Sequence, residues 1–235
     1  MKLYTTPTDP AKILINQKYA SNSKNWVRKP CHIILDSFHY GTSQILVKNG
    51  VKKDCIHAPN INSADSRVLR KFGVNSKQMT MEKYLTRLSN KKLSLSSNRI
   101  NCMWYDGMTT IGGNAKHNLY PGVAVHEFLM RNKERIRGRC FLAMTLCTRS
   151  NQVRSIRKNM KYTIITTITR LVLMEGFEIV SNEYTNYKKN MVYLAMKLRY
   201  NPEKVNRNKK MLTWKGSSSH LISFPRDYDN RKLIK

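Results

Sequence analysis

The sequence predicts an α/β (α+β) fold: a small two-layer helix-on-sheet domain preceded by a long, irregular, partly helical extension. Three patterns support this prediction. An amphipathic helical pattern over residues 162–175 precedes two strand patterns. The second of these, residues 191–200, alternates apolar with other residues. Residues 1–137 have weak periodicity and many turn signals. The predicted domains are therefore a basic extension, residues 1–137, and an α/β domain with a basic C-terminal tail, residues 138–235.

The elements follow in order along the chain. Helices are predicted near residues 80–88 and 123–135, and a short apolar helix over Phe141–Cys147. A basic connection, residues 149–158, leads to a longer helix over residues 162–175, where Gly176 is placed to end it in a left-handed conformation. A strand over residues 177–180 and a polar turn come next. The clearest strand is Met191–Tyr200, with Val192, Leu194, Met196, Leu198 and Tyr200 on one face and Lys197 and Arg199 on the other.

The charge of the chain calls for a polyanionic partner. Lys and Arg total 43 against 14 Asp and Glu, a formal net charge of +29 on 235 residues. Nucleic acid is the favoured partner, because neutralising phosphates releases condensed counterions. An anionic membrane or an acidic protein is the alternative, but no apolar run is long enough to span a bilayer, and no membrane partner is expected. With 40% hydrophobic residues and a mean hydropathy of -0.54, the chain can bury a core, although much of it would need RNA to become ordered.

Enzymatic and metal-binding interpretations find little support in the sequence. The five cysteines form no C-x-x-C pair, so a disulfide framework is not expected. A zinc site could be built from Cys31-His32 and Cys55 with His57, but buried thiols are favoured over it. His126-Glu127 lacks the second histidine of a zinc-protease helix. Asp36 and Asp106 have no spaced partner that suggests paired acid–base work. No enzyme activity, cofactor, metal or small-molecule substrate is therefore expected.

Four segments resemble the small-subunit ribosomal protein S-eight family. Residues 141–151 (FLAMTLCTRSN) are similar to its opening helix, and residues 173–179 (LMEGFEI) to the E-G-F-I signature that ends its second helix. Residues 192–200 look like the second strand of its hairpin, and residues 222–228 (ISFPRDY) like its I-S-R-P-G-R-R-Y link. The resemblance covers residues 138–235. The family's second, β-rich half would begin where this chain stops, and we expect it to be lost or supplied by another chain. Residues 66–74 faintly resemble a segment of the ribosomal S-fourteen family.

The resemblance implies a structural constituent of an organellar, mitochondrial small ribosomal subunit. Its partners would be ribosomal RNA of the small subunit and neighbouring ribosomal proteins. The RNA-binding side chains would be Arg149, Asn151, Arg154, Arg157, Lys158, Lys161, Lys197, Arg199, Lys209, Lys210 and Arg226. The alternative is another RNA-binding ribonucleoprotein component or a maturase-like RNA-processing factor.

The N-terminus shows neither a secretory core nor an import presequence, and the composition is skewed toward Lys, Asn, Ile, Tyr and Met. Both features favour an organelle-encoded protein in the mitochondrial matrix.

Overall fold

In the computed structural model, one mixed sheet of six strands has the order β2-β1-β3-β4-β6-β5. The structure describes residues 9–37, 39–89, 99–107, 120–135, 138–147, 160–188 and 191–201. The strands are β1 (His32–Ile34), β2 (Ile56–His57), β3 (Cys102–Asp106), β4 (Arg139–Cys147), β5 (Phe177–Lys188) and β6 (Met191–Tyr200). The helices are α1 (Pro10–Trp26), α2 (Gly41–Lys48), α3 (Ser63–Phe72), α4 (Met81–Ser89), α5 (Pro121–Arg135) and α6 (Met160–Met174), with a 3-10 turn at Lys53–Cys55.

The sheet is parallel through β2, β1, β3 and β4 and antiparallel at its other end, where β6 lies between β4 and β5. Two isolated parallel bridges, His57 with Asn75 and Asn60 with Gln78, add residues 75–78 as a further parallel neighbour of β2. The chain builds outward from β1 toward β2, then returns to add β3 and β4 on the other side. In open α/β sheets, such a reversal of strand order creates a crevice at the carboxyl ends of the two strands.

Helices cover both faces of the sheet, so the molecule has three layers. On one face, α1, α2 and α3 pack on Trp104 and Phe141 through a cluster that includes Tyr19, Leu46 and Leu69. On the other face, α4, α5 and α6 pack on Met103 and Leu142 through Leu85, Phe128 and Ile168. The predicted α/β class is confirmed. The predicted domain boundary at residue 137 falls between α5 and β4. Each of the two hydrophobic clusters contains residues from both sides of this boundary.

Local signals explain where several helices begin and end. The side chain of Asp9 accepts a hydrogen bond from the backbone N–H of Ala11 at 3.1 Å, and Pro10 supplies a first turn that needs no N–H donor. Asn62 caps α3 in the same way through the N–H of Ala64 at 2.8 Å. Gly73 ends α3 with φ of +98°, which glycine adopts at little cost. Among the described residues, no helix is long and apolar enough to cross a bilayer.

The prediction for residues 141–147 is wrong, because this segment is the centre of β4 and not a helix. β4 is paired on both sides, parallel to β3 and antiparallel to β6, and residues 140–146 are all buried. A strand buried on both faces is apolar at every position, so it lacks the alternation that distinguishes a strand from a short helix.

Other predicted elements are confirmed. The helices near residues 80–88, 123–135 and 162–175 are α4, α5 and α6, and β6 has the predicted limits. In β6, Val192, Leu194, Met196 and Leu198 face the cluster beneath α4, α5 and α6, whereas Arg199 is exposed. Gly176 follows α6 with φ of +81°, the left-handed conformation predicted for it. Its carbonyl accepts a hydrogen bond from the N–H of Asn201 at 3.0 Å, which ties this turn to the end of β6.

Candidate functional site

The strand ends of the sheet form two opposite edges of different character. The carboxyl edge is the edge where the parallel strands β1, β2, β3 and β4 end, and the amino edge is the edge where they begin. At the carboxyl edge the crevice lies between the ends of β1 and β3, on the face covered by α1, α2 and α3. The side chains there come from segments that are far apart in the sequence.

Asp36 follows β1 and organises the loop that leads into α2. Its carboxylate accepts hydrogen bonds from the backbone N–H of Ser43 at 2.8 Å, from the Ser43 hydroxyl at 2.7 Å and from the N–H of Ser37 at 3.0 Å. Burial raises the pKa of Asp36, and the bonds from Ser43 and Ser37 and the charge of Lys12 oppose that rise. The carboxylate therefore holds the first turn of α2 against the end of β1.

The same loop contains a single glycine, Gly41, which is the first residue of α2. A β-carbon built at Gly41 would meet no atom within 4 Å, so this helix terminus faces open space. The preceding residue, Tyr40, has φ of +39°, which side chains rarely adopt. Its ring stacks on Phe72 at 4.5 Å between centroids, with 19° between the planes. This packing of Tyr40 on α3 stabilises the left-handed conformation at a position where a glycine would be expected.

Asn60 lies three residues beyond the end of β2 and joins the neighbouring loops. Its amide nitrogen donates to the carbonyl of Asp36 at 2.7 Å and to the carboxylate of Asp65 at 3.3 Å. The same side chain accepts from the N–H of Asn62 at 2.7 Å. Asp65 is in the first turn of α3 and is 5% exposed. A buried carboxylate therefore lies next to the loop that follows β1.

Asp106 ends β3 and forms the other wall of the crevice. One carboxylate oxygen accepts from the Thr145 hydroxyl at 2.5 Å, and the other forms an ion pair with the ammonium group of Lys12 from α1. That ammonium group also lies 5.2 Å from the centre of the Trp104 ring. The Asp106 side chain remains 19% exposed and that of Lys12 15%. A charged, partly accessible carboxylate is thus held in place from α1, β3 and β4.

The histidines considered for a zinc site have other roles. The Tyr19 hydroxyl contacts Nδ1 of His32 at 2.9 Å, and the Tyr84 hydroxyl contacts Nδ1 of His57 at 2.8 Å. Burial lowers the pKa of His32 to about 3 and that of His57 to about 4, so both rings are neutral at pH 7. In the part of the chain that the structure describes, no three metal-ligating side chains lie together. All five cysteines are free thiols.

Only a few of the predicted RNA-binding residues lie in the described part of the chain. Lys197 and Arg199 are near the amino edge, on the strand that pairs with β4, and Arg199 is exposed. Lys161 is in α6, but its side chain is not described. Arg149, Asn151, Arg154, Arg157, Lys158, Lys209, Lys210 and Arg226 lie outside the described residues. The structure therefore does not bring the predicted set together.

Solved structures with a similar fold were found, whereas no protein-family model and no curated protein sequence matches the chain. Magnesium protoporphyrin IX methyltransferase from Synechocystis PCC 6803 with bound SAH is 6% identical, has a TM-score of 0.52, and aligns over 81% of this chain and 84% of its own. A 1,6-didemethyltoxoflavin-N1-methyltransferase from Burkholderia thailandensis is 11% identical, with a TM-score of 0.44 and coverage of 85% and 92%. A putative rRNA-methylase from Clostridium thermocellum is 10% identical, with a TM-score of 0.46 and coverage of 77% and 95%.

What these proteins share with this chain is the fold. The Synechocystis enzyme carries that conclusion, since it alone of the three exceeds a TM-score of 0.5. The interpretation as a member of the ribosomal S-eight family is therefore wrong. The segment similar to that family's opening helix is a strand here over residues 141–147, and residues 177–179 and 192–200 belong to the same larger sheet, which includes β1 in the first third of the chain. Residues 222–228 lie outside the described residues.

The conclusions that depended on that resemblance are wrong with it. The chain is not a structural constituent of a small ribosomal subunit, and ribosomal RNA with neighbouring ribosomal proteins is not its partner set. The expectations of no enzyme activity and no small-molecule substrate are corrected for the same reason, because the fold is that of an enzyme solved with a bound small molecule. The alternative, another RNA-binding ribonucleoprotein component or a maturase-like RNA-processing factor, is only loosely related to a methyltransferase of this fold.

Asp36 and Asp106 have no partner at a fixed spacing in the sequence, so spacing alone does not indicate a role for either carboxylate. A signal was nevertheless present: each follows a short apolar run, residues 33–35 and 102–105. An acid directly after a buried strand is placed at the carboxyl edge of a parallel sheet. Lys12 and Asn60 carry no comparable signal.

Proposed function

We propose that this protein is a methyltransferase that takes its methyl group from S-adenosylmethionine and transfers it to a nucleophile on a polyanionic substrate. The observation that carries the proposal is the reversal of strand order between β1 and β3, with Asp36 just after the end of β1 and Asp106 at the end of β3. The similarity in fold to a methyltransferase with bound SAH supports it. The net charge of +29 favours a polyanionic substrate.

The residues at the crevice fit such a cofactor in outline. The open space beside Gly41 leaves room for a ligand against the first turn of α2, where N–H groups favour negative charge. Asp65, beside Asn60 and beyond β2, offers a carboxylate where nucleotide-binding folds of this order bind ribose hydroxyls. The loop departs from the glycine-rich loops of nucleotide-binding folds, because it has a single glycine and the residue before it, Tyr40, is in the left-handed conformation.

The remaining groups of the crevice would serve the acceptor. S-adenosylmethionine, when bound, supplies a methyl group on a positively charged sulfur, and the acceptor must lose a proton as it gains that methyl group. Asp106 can accept this proton or a hydrogen bond from the acceptor, because one side of its carboxylate is partly accessible. Lys12 forms an ion pair with Asp106, and the Thr145 hydroxyl donates to its other oxygen, so both contacts fix the orientation of the carboxylate.

Two measurements test the proposal. Calorimetry with S-adenosylhomocysteine should give saturable binding at one site per chain. Incubation of the purified protein with S-adenosylmethionine labelled in the methyl group, and with total nucleic acid from a source that lacks the protein, should transfer label to the nucleic acid. Absence of any binding of S-adenosylhomocysteine, with the protein folded by circular dichroism, would disprove the proposed cofactor. We also propose, from the composition alone, that the protein acts in the mitochondrial matrix.

A further inference from the structure

The amino edge of the sheet carries a row of bases that the proposed reaction does not use. It lies at the opposite edge from Asp36 and Asp106. The bases come from the ends of α1, α2 and α3, from the segments before β2 and β3, and from the pairing of β4 with β6. All are exposed except the half-buried Lys197, and they are Lys24, Arg28, Lys29, Lys48, Lys52, Lys53, Arg70, Lys71, Arg99, Arg139, Lys197 and Arg199.

Few carboxylates compensate this row within the described residues. Asp54, Glu175 and Glu178 lie at the same edge. Glu175 is already engaged, with carboxylate oxygens 3.5 Å from Nε2 of His126 and 3.5 Å from Nζ of Lys133. Glu178 is the cross-strand neighbour of Arg199. The positive charge of the edge therefore exceeds what the described acids at that edge can neutralise.

The centre of the row is a pair of arginines that face each other. Arg139 of β4 is directly opposite Arg199 of β6 in the antiparallel ladder, and both side chains are exposed. Directly opposite residues have β-carbons only about 5 Å apart, and like charges in that position destabilise a sheet. An anion bound between the two guanidinium groups would remove this repulsion, because each group can present two N–H donors to phosphate oxygens.

Packing orients one member of the arginine pair, Arg139. The guanidinium carbon of Arg139 lies 4.5 Å from the centre of the Trp26 ring. The indole N–H of Trp26 contacts the carbonyls of Cys140 and Leu198 at 3.0 and 3.3 Å, which fixes the end of α1 on β4 and β6. A guanidinium group held over an aromatic ring is oriented before any ligand arrives, so less entropy is lost when it binds.

The dimensions of the row suit a nucleic acid backbone. Four spacings between the five strands from β2 to β6, at about 4.8 Å each, give a row roughly 19 Å long. A duplex presents about one phosphate charge per 1.7 Å of axis, so about six base pairs could lie along it. A membrane surface is less suitable. Of the three exposed large apolar side chains among the described residues, Leu14 and Ile61 lie in the first half of α1 and beyond the carboxyl end of β2, and Val180 of β5 alone lies near the amino edge.

We infer that the amino edge, with Arg139 and Arg199 at its centre, binds the phosphate backbone of a nucleic acid apart from the crevice at the carboxyl edge. The inference deepens the proposed function by naming nucleic acid as the class of partner, but it does not require methyl transfer. The binding surface and the reactive site are on opposite edges, so the substrate would be long enough to contact both. Short oligonucleotides that reach only one edge would bind weakly.

The test compares two double variants with the same loss of charge. Arg139→Gln with Arg199→Gln removes the arginine pair. Arg67→Gln with Lys83→Gln removes two exposed bases away from the amino edge, one in the middle of α3 and one in the first turn of α4. Fluorescence anisotropy measures binding of labelled 20-base-pair RNA and DNA duplexes from 50 to 300 mM KCl. We expect the arginine variant to bind at least fivefold more weakly at 100 mM KCl, with the slope of log affinity against log salt reduced by about 1 to 2. The control variant should stay within twofold.

Several outcomes are decisive. Equal losses in both variants would overturn the inference, since net charge alone would then explain binding. Unchanged binding by the arginine variant would overturn it as well, as would binding that depends on the arginine pair for anionic vesicles but not for either duplex. A larger loss for RNA than for DNA, or the reverse, supports the inference and identifies the nucleic acid. The proposed function is tested separately by calorimetry with S-adenosylhomocysteine, which the arginine variant should bind as the parent protein does.

Discussion

The two edges of the sheet differ in how their charged side chains are neutralised. At the carboxyl edge, Asp36, Asp65 and Asp106 each have partners from neighbouring elements, so the acids are enclosed in hydrogen bonds and an ion pair. At the amino edge nearly all the described bases are exposed, and Arg139 faces Arg199 across one ladder while Glu178 is opposite Arg199 across the other. The difference teaches that the surplus of positive charge is not a uniform property of the surface. One edge is organised around its own polar groups, and the other needs an external anion.

The largest expected effect is a loss of stability at acidic pH. It changes folding but not the charge of the bases at the amino edge. The pKa of His32 is about 3 and that of His57 about 4, below the usual 6.5, so the unfolded chain binds protons that the folded chain does not. Stability is therefore complete above pH 6.5 and is lost as the pH falls toward 4, by about 1.4 kcal/mol per pH unit for each histidine. Urea unfolding at pH 7.0, 6.0 and 5.0 measures this dependence.

The control is His57→Gln, which should remove about half of the dependence on pH. Lys and Arg do not titrate in this range, so the amino edge keeps its charge while the fold weakens. A free energy of unfolding that is constant between pH 7 and 5 would contradict neutral burial of the two rings.

The next effect should be at the carboxyl edge, on the rate of reaction. Asp106→Asn keeps the shape of the side chain but removes the charge that can accept a proton, so methyl transfer should fall about 100-fold. Binding of S-adenosylhomocysteine and of duplex RNA should change less than twofold. Single-turnover kinetics with labelled S-adenosylmethionine measures the rate.

The matched control is Glu183→Gln, which removes another carboxylate that forms an ion pair with a lysine of α1, Lys18. It should leave the rate unchanged. Equal rates for the parent protein and Asp106→Asn would remove Asp106 from the reaction.

A smaller effect should follow from opening the loop after β1. Asp36→Ala deletes the acceptor for the N–H and hydroxyl of Ser43 and should cost about 1 to 2 kcal/mol, as the loss of a helix cap does. For a domain of this size, the midpoint of thermal unfolding should fall by roughly 3 to 6 °C. Asp36→Asn, which keeps one acceptor oxygen and no longer buries a charge, should cost less. The order of the two variants in differential scanning calorimetry checks the assignment; an equal effect would contradict it.

The smallest effect should come from the turn between α6 and β5. Gly176 has φ of +81°, so Gly176→Ala should destabilise by on the order of 1 kcal/mol and Gly176→Val by more. Neither variant removes a charge, so affinity for a duplex should not change. Urea unfolding and anisotropy together test this. A variant that is stable but binds poorly would show that the amino edge depends on this turn and not on its bases alone.

Part of this protein could be predicted from its sequence because the signals are local. The limits of β6, the helices α4, α5 and α6, and the left-handed Gly176 depend on periodicity and on a glycine at a helix end. The net charge likewise requires no structure. These features depend on residues within a few positions of one another, and their physical causes act over the same short range.

The tertiary structure alone decided the rest. β4 is apolar along most of its length because it is covered on both faces, so its sequence lacks the alternation that would distinguish it from a helix. α1 was not predicted because its buried face mixes Ile15, Tyr19 and Ala20 with Asn16 and Ser23, so no apolar stripe is visible. The crevice joins Lys12 to Asp106 across 94 residues, and Arg139 faces Arg199 only after β4 pairs with β6. Contacts between distant segments exist only once the sheet order is set, and strand order is determined by the packing of the whole chain.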